Sequence, residues 1–161
     1  MFDLRPEGLK FLETAPLRMV FAETLKAAPE AVFYALSAEP EGWPRWYGAV
    51  SSSAYAGDGP YGVGARRRVR LVGGVTFHET VIAWDSPSRY AYRIDRCTMP
   101  GVRALVEEWT VLETSAGTRV AWTIALDAPA PILTALRAAS AGFGVATRRA
   151  LARLDRRLAE R

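Results

Sequence analysis

The stretch "RRRVRLVGGVTFHET", residues 66–80, decides how the chain is read. Two runs of mixed apolar and polar residues flank Gly73-Gly74, and a two-residue loop with positive φ at both positions suits the right-handed twist of paired strands. The expected hairpin sets Val72 opposite Val75, Val69 opposite His78, Arg68 opposite Glu79 and Arg67 opposite Thr80. Arg68 and Glu79 then form an exposed cross-strand ion pair. Arg66, Arg68 and Arg70 point to water, while Arg67, Val69 and Leu71 share the inner face with His78 and Thr80.

Working outward, "AVSSSAYAG" precedes this hairpin, and "RYAYRID", "RALVEEWTVLE" and "TRVAWTIALD" follow it. They are separated by "DGPYG", "DSPS", "CTMPG" and "TSAG", connections too short for a parallel crossover, so the six candidate strands between residues 49 and 127 form an antiparallel meander. Before them, "LRMVFAETLKA" has strand composition, and "APEAVFYALS" changes to helical period with Pro29 suited to a first turn. "EPEGWPRWYG" allows only a turn or two of helix because of Pro40, Gly42 and Pro44. After the meander, apolar residues at 132, 136, 139, 143, 146, 150, 154 and 158 define one amphipathic helix of roughly 29 residues, about 44 Å long. Such a stripe needs a cover, and the concave side of the sheet is the available partner.

Extending the inner face through the turns places Trp84 beside Tyr90, Ile82 beside Tyr92, Tyr92 beside Glu107 and Trp109 beside Trp122. An aromatic end of Trp84, Tyr90, Trp109 and Trp122 results, with the polar groups Arg67, His78, Tyr92 and Glu107 nearer the middle. A sealed apolar core does not accommodate unpaired charge, so these groups pair with one another, meet water or meet a ligand. Arg67 and Glu107 as a structural ion pair is one such arrangement. Gly142 and Gly144 straddle Phe143 on the helix stripe and each costs about 1 kcal/mol relative to alanine. Close approach of the backbone to a ligand or to the short helices, or a kink, would account for them.

The composition excludes several classes. The 161 residues make one domain with an N-terminal arm, 1–16, ahead of the folded unit, 17–161. Cys97 is the lone cysteine, so neither a disulfide framework nor a cysteine zinc site is available. The start carries Asp3, Arg5, Glu7 and Lys10, and no apolar run reaches membrane-spanning length, which gives the expectation of a cytoplasmic protein. The net charge of +4 comes from 21 basic against 17 acidic residues, only two of the former lysines. It concentrates in "RRRVR" and in the helix end "RRALARLDRRLAER", where cations offset the carbonyl dipole, so no nucleic-acid partner is expected.

The order of strand, two short helices, six-stranded meander and long terminal helix resembles the helix-grip fold of the START-like superfamily, the SRPBCC or polyketide cyclase/dehydrase-like group. "AAPEAVFYALSAEPEGWPRWYGAV" is similar to that family's helix, acidic-proline turn and tryptophan before strand two. "YGVGARRRVR" resembles its glycine-led third strand, "DSPSRYAYRI" its proline turn into strand five, and "SAGTRVAWTI" its seventh strand. The resemblance, over about 17–159, implies an α+β fold: a seven-stranded curved antiparallel sheet around the C-terminal helix, with two short helices between strands 1 and 2. It also implies a hydrophobic cavity between sheet and helix, one end closed by Trp43 and Trp46. No family motif assigns a catalytic residue, and a chain with one histidine cannot supply the His-His-acid metal set of some members.

Two functions follow as expectations. The first is binding or carrying a hydrophobic small molecule (lipid, polyketide or aromatic metabolite), lined by Trp43, Trp46, Arg67, His78, Trp84, Tyr90, Tyr92, Glu107, Trp109, Trp122 and Phe143, with Arg67 or His78 fixing a polar end. The second is a polyketide cyclase, aromatase or dehydratase, in which His78 or Glu107 moves a proton and Arg67 or Tyr92 steadies an enolate. A protein-interaction module is a third reading without an exposed aromatic signature. No cofactor or metal is expected. The chain is a monomer or, through exposed edges at strands one and two, a homodimer.

Overall fold

The computed structural model describes all residues, 1–161. Seven antiparallel strands run in the order β2-β8-β7-β6-β5-β4-β3: β2 (Leu17–Leu25), β3 (Val50–Tyr55), β4 (Arg66–Leu71), β5 (Thr76–Asp85), β6 (Arg89–Cys97), β7 (Ala104–Thr114) and β8 (Gly117–Asp127). An added two-residue strand β1 (Phe2–Asp3) pairs with the end of β6. Helices α2 (Pro29–Ser37) and α3 (Trp43–Trp46), joined by a short 3-10 turn (Pro40–Gly42), stand between β2 and β3, and α4 (Ala130–Ala159) closes the chain. Prolines open both larger helices: Pro29 begins α2 and Pro131 lies in the first turn of α4, where an intrahelical N–H partner is missing anyway.

The residues before β2 are more than an arm. Helix α1 (Phe11–Thr14) lies on the outer face of the sheet, where Phe11 and Leu12 bury themselves on Ala104, Val106 and Ala125 as a second small core. Small residues on β7 and β8 make room for that helix. Leu4 and Arg5 donate backbone N–H groups to Asp95 and Arg103, so the chain start stitches β6 to β7 where the two strands separate.

Three departures from expectation bear on the site. First, the β4–β5 loop has three residues. Leu71 donates its N–H to the Val75 carbonyl at 2.8 Å, while the Val72 N–H is drawn off to Ala49 at 2.9 Å. The two glycines, both at φ 94°, therefore occupy its second and third positions. This puts Arg67 opposite Glu79 and Arg68 opposite His78. Second, β5 carries an extra residue, Ile82: Val81 pairs with Tyr92, but Ala83 already pairs with Ala91. Strict alternation fails there. Trp84 stays inward, and His78, Thr80 and Ile82 turn outward while Glu79 and Val81 turn in. The exposed Arg68–Glu79 pair and the inward His78 are thus replaced by an inward Arg67–Glu79 pair.

Third, the middle of α4 departs from the apolar stripe: Ile132, Leu136, Ala150, Leu154 and Leu158 pack on the core as expected, but Ala139, Phe143 and Ala146 face outward. The helix's fully buried side chains are Leu133, Thr147, Ala150, Leu151 and Leu154, and Ser140 and Gly144 continue that face as half-buried positions. Phe143 instead is 37% exposed. The C-terminal half is clamped: Asp155 accepts hydrogen bonds from the N–H groups of Lys26 and Ala27, each at 2.9 Å. Gly144 rests against β2, since a Cβ placed there would lie 3.5 Å from the Phe21 ring, whereas a Cβ on Gly142 would touch nothing. The helix runs unbroken through these glycines and does not approach the short helices through them.

Candidate functional site

The aromatic end of the concave face is filled by its own rings. Trp109 and Trp122 stack with centroids 5.1 Å apart and planes 5° off parallel. Trp43 and Trp46, carried in by α3, meet Trp109 edge-on at 5.9 and 6.4 Å. Tyr47 stacks on Trp46 and meets Trp122 edge-on, while Tyr90 touches Trp84 and Tyr92. The prolines that break the 40–46 segment into short turns let two indoles and a phenol point the same way. This part of the expected lining is a plug of packed side chains, with Trp43, Trp46, Tyr90, Tyr92 and Trp109 all buried.

Arg67 is embedded in the plug at 2% exposure. Its guanidinium carbon lies 4.5 Å from the ring centres of Trp43 and Tyr92 and 5.5 Å from that of Tyr90. Its Nε donates to Glu79 Oε2 at 2.7 Å, but Nη1 and Nη2 have no partner. The indole N–H of Trp46 and the hydroxyls of Ser53 and Thr147 are likewise buried without one. Cation–π contact offsets part of the desolvation of the charge, with a contribution of about 2 kcal/mol when water is excluded. Tyr55, which the sequence reading passed over, adds a second network: its hydroxyl donates to the Ser37 carbonyl and shares a 2.8 Å hydrogen bond with Tyr90.

Glu107 is the second inward carboxylate. Its Oε2 accepts from the Tyr92 hydroxyl at 2.7 Å and from Trp122 Nε1 at 3.1 Å. Trp109 Nε1 in turn donates to the Tyr92 oxygen at 3.3 Å. Arg67 pairs with Glu79 and not with Glu107, so two carboxylates and one guanidinium share the interior. Burial raises the Glu79 carboxyl from 4.5 to about 7, against the opposing pull of Arg67 and with help from Glu107. It raises Glu107 as well, partly countered by the Tyr92 and Trp122 hydrogen bonds. Arg67 is held above its ordinary range: burial acts to lower it, and Glu79 together with the surrounding Tyr90, Tyr92 and Tyr55 outweighs that.

A carboxyl raised in the folded state stabilises the fold below its unfolded value and loses that contribution as pH climbs through the folded one. The window runs from pH 4.5 to about 7. Thermal denaturation across it should show stability falling with rising pH, by on the order of 3 kcal/mol if Glu79 alone governs the slope. Glu79→Gln should flatten the curve; an equally steep curve in that variant would assign the slope elsewhere.

Exposure grades how tightly the concave face is covered. Tyr90 and Val32 are at 0%, but Met19, Trp122, Ile124 and Leu133 each retain 8%, and Glu107 between them is only half-buried. The less tightly covered side is thus the one under the first half of α4, where Leu133 is the helix's only fully buried residue before Thr147 and Ile132 and Leu136 pack half-buried beside it. Of the residues expected to meet a ligand, Glu107 and Trp122 reach this side. His78 lies on the outer face, Phe143 on the solvent side of α4, and Trp84 at the rim of a groove of about 520 Å³ with Phe33 and Tyr61. Glu79, Tyr47 and Tyr55 belong to the inner set although the sequence reading did not select them. A three-residue hairpin loop and a bulge at Ile82 would have revealed Glu79.

A curved antiparallel sheet gripping a terminal helix, with two short helices plugging one end, defines a START-like protein. The chain belongs to the polyketide cyclase/dehydrase and lipid transport family, whose profile matches residues 17–159. Uncharacterized proteins of Mycobacterium tuberculosis and Mycobacterium bovis are 33% identical over 156 residues, 97% of this chain and 93% of theirs. Among solved structures, a protein of Rhodobacter sphaeroides has a TM-score of 0.67 at 21% identity, covering 89% of this chain and 92% of its own. A START superfamily protein of Mycobacterium smegmatis has a TM-score of 0.66 at 12% identity, covering 89% and 97%. These likenesses establish the fold and the family. No helix of the chain is long and apolar enough to cross a membrane.

Proposed function

We propose that the protein binds an apolar small molecule, acyl or ring-containing, between the first half of α4 and the sheet, with a polar oxygen group of the guest toward Glu107. The observation that carries this reading is the pairing of a half-buried carboxylate on the concave face with a helix that turns Ser140, Gly144 and Thr147 toward the sheet and Phe143 away. A helix covering a closed core would present its phenylalanine inward. Met19, Trp122 and Ile124 supply apolar wall, and a guest displaces water from them at about 25 cal/mol per Å² of apolar surface. With its carboxyl raised, Glu107 can carry a proton and donate to a carbonyl or hydroxyl of the guest.

The test is titration with a fluorescent polyene fatty acid and its methyl ester, alongside native mass spectrometry of the purified chain. Saturable one-to-one binding that Ser140→Phe weakens by about tenfold or more, through occupation of the space under α4, supports the reading. Unaltered affinity in that variant, or no binding of either probe, overturns it.

Catalysis is favoured by one observation: the Tyr92 hydroxyl donates a 2.7 Å hydrogen bond to the half-buried Glu107 carboxyl. On this second reading Glu107 transfers a proton to or from an enolisable poly-ketone and Tyr92 steadies the enolate. Glu107→Gln would then retain ligand binding and lose cyclisation or dehydration. Retained turnover in that variant removes Glu107 from the chemistry.

A further inference from the structure

The outer face of β4, β5 and β6 holds a concavity of about 670 Å³ that the ligand reading leaves unused. Cross-strand pairing arranges its side chains in two rows. Arg66 faces Thr80, which faces Arg93; Arg68 faces His78, which faces Arg96. With strands about 4.8 Å apart and alternate residues about 7 Å apart, the four arginines root at the corners of a rectangle of roughly 10 by 7 Å. Ala54 and Ala56 line the same hollow and leave its β3 side low.

Positive charge exceeds negative in it, with Arg66, Arg68, Arg93 and Arg96 around the single outward carboxylate of Asp95. Asp95 is engaged, accepting from Arg93 Nε at 2.7 Å and from the Thr80 hydroxyl. Arg96 reaches Asp3 of β1 at 3.0 Å. Arg66 and Arg68 are exposed and take part in no salt bridge, and Arg70 repeats the pattern one step along the strand. A face built for solubility mixes signs, since like charges across a strand pair repel. The bulge at Asp95, which places two β6 residues against one of β5, turns Arg93 and Arg96 toward the same hollow.

We infer that this hollow is an oxyanion site for a ligand bearing two linked phosphate groups. The corner spacing exceeds what one carboxylate can bridge, and a diphosphate offers separate oxygens to Arg66–Arg93 and to Arg68–Arg96, with His78 between them as a further hydrogen-bonding group. Guanidinium forks match phosphate oxygens two at a time, which ammonium groups do not. Free diphosphate and a phosphorylated lipid headgroup share this chemistry.

Calorimetric titration of the full chain with inorganic pyrophosphate, in about 50 mM salt so that exposed charges act over a useful range, tests the site. One-to-one binding is expected, weakened by about tenfold or more in Arg68→Gln/Arg96→Gln and unchanged in Arg119→Gln/Arg149→Gln, a pair that removes the same charge from β8 and α4. Sedimentation with phosphatidylcholine vesicles carrying phosphorylated phosphoinositide separates the sources. Vesicle binding that pyrophosphate displaces supports a headgroup, and pyrophosphate binding alone supports a soluble ligand. Equal weakening in both double variants, or no binding of either probe, overturns the inference.

Discussion

Glu79→Leu is expected to destabilise the fold by about 3–5 kcal/mol, because it strands a buried charge. Arg67 makes one side-chain hydrogen bond, from Nε to Glu79, and its other two nitrogens are already without partners. Leucine resembles glutamate in volume, so the loss isolates the electrostatic term from any cavity term. Glu79→Gln keeps an acceptor and should cost about 1–2 kcal/mol. The double replacement Arg67→Met/Glu79→Leu removes both desolvated groups and sets a thioether against Trp43, Tyr90 and Tyr92, a favourable neighbourhood for sulfur. It should recover most of the loss. Denaturant unfolding of the unaltered protein, Arg67→Met, Glu79→Leu and the double variant forms a double-mutant cycle, and a coupling energy below about 0.5 kcal/mol would show that the pair does not act as a unit.

The pair also shows what a sequence can carry. The element order was legible because short connections force antiparallel neighbours and because the stripe in 132–158 has one period. Trp84 beside Tyr90, Tyr92 beside Glu107 and Trp109 beside Trp122 were legible too, since those pairings depend on the β5–β6, β6–β7 and β7–β8 turns alone. Glu79 was not. Its facing depends on whether Val72 stays in the β4–β5 ladder, and that is settled by a bond to Ala49 on the other side, a tertiary fact. The bulge at Ile82 has a similar origin: the outward side chain packs, as Leu9 and Ala15 do, on the small core under α1, made by residues far away in sequence. One inserted residue inverted Phe77 to Ile82 together, which is why His78 and Thr80 were misplaced as a set. In α4 both ends of the stripe, Ile132 and Leu136 and then Ala150, Leu154 and Leu158, were legible, and only the middle failed, since Ala139, Phe143 and Ala146 are more apolar than Ser140, Gly144 and Thr147. Composition alone could not show that the less apolar face is the one turned to the sheet.

Trp109→Ala separates plug from pocket. The indole is 1% exposed and lies between the Trp122 ring and the edges of Trp43 and Trp46. Truncation to alanine should cost about 3–5 kcal/mol, a fall of roughly 6–20 °C in Tm for a chain of this size. The rings around the vacated site are anchored elsewhere: the Trp43 N–H donates to the Leu36 carbonyl and the Trp122 N–H to Glu107. They cannot collapse freely, so a dry, aromatic-walled hole should remain. Such cavities accept apolar guests of matching shape. Indole added at about a hundred times its dissociation constant should then restore about 2.7 kcal/mol to the variant by mass action, and leave the unaltered protein unchanged at this site. A carboxylated polyene, entering under α4 instead, should bind both proteins alike once the temperature is low enough for the variant to be folded. If the aromatic end were itself the ligand site, the order would reverse: the unaltered chain would respond to indole, and the variant would lose its affinity for the polyene.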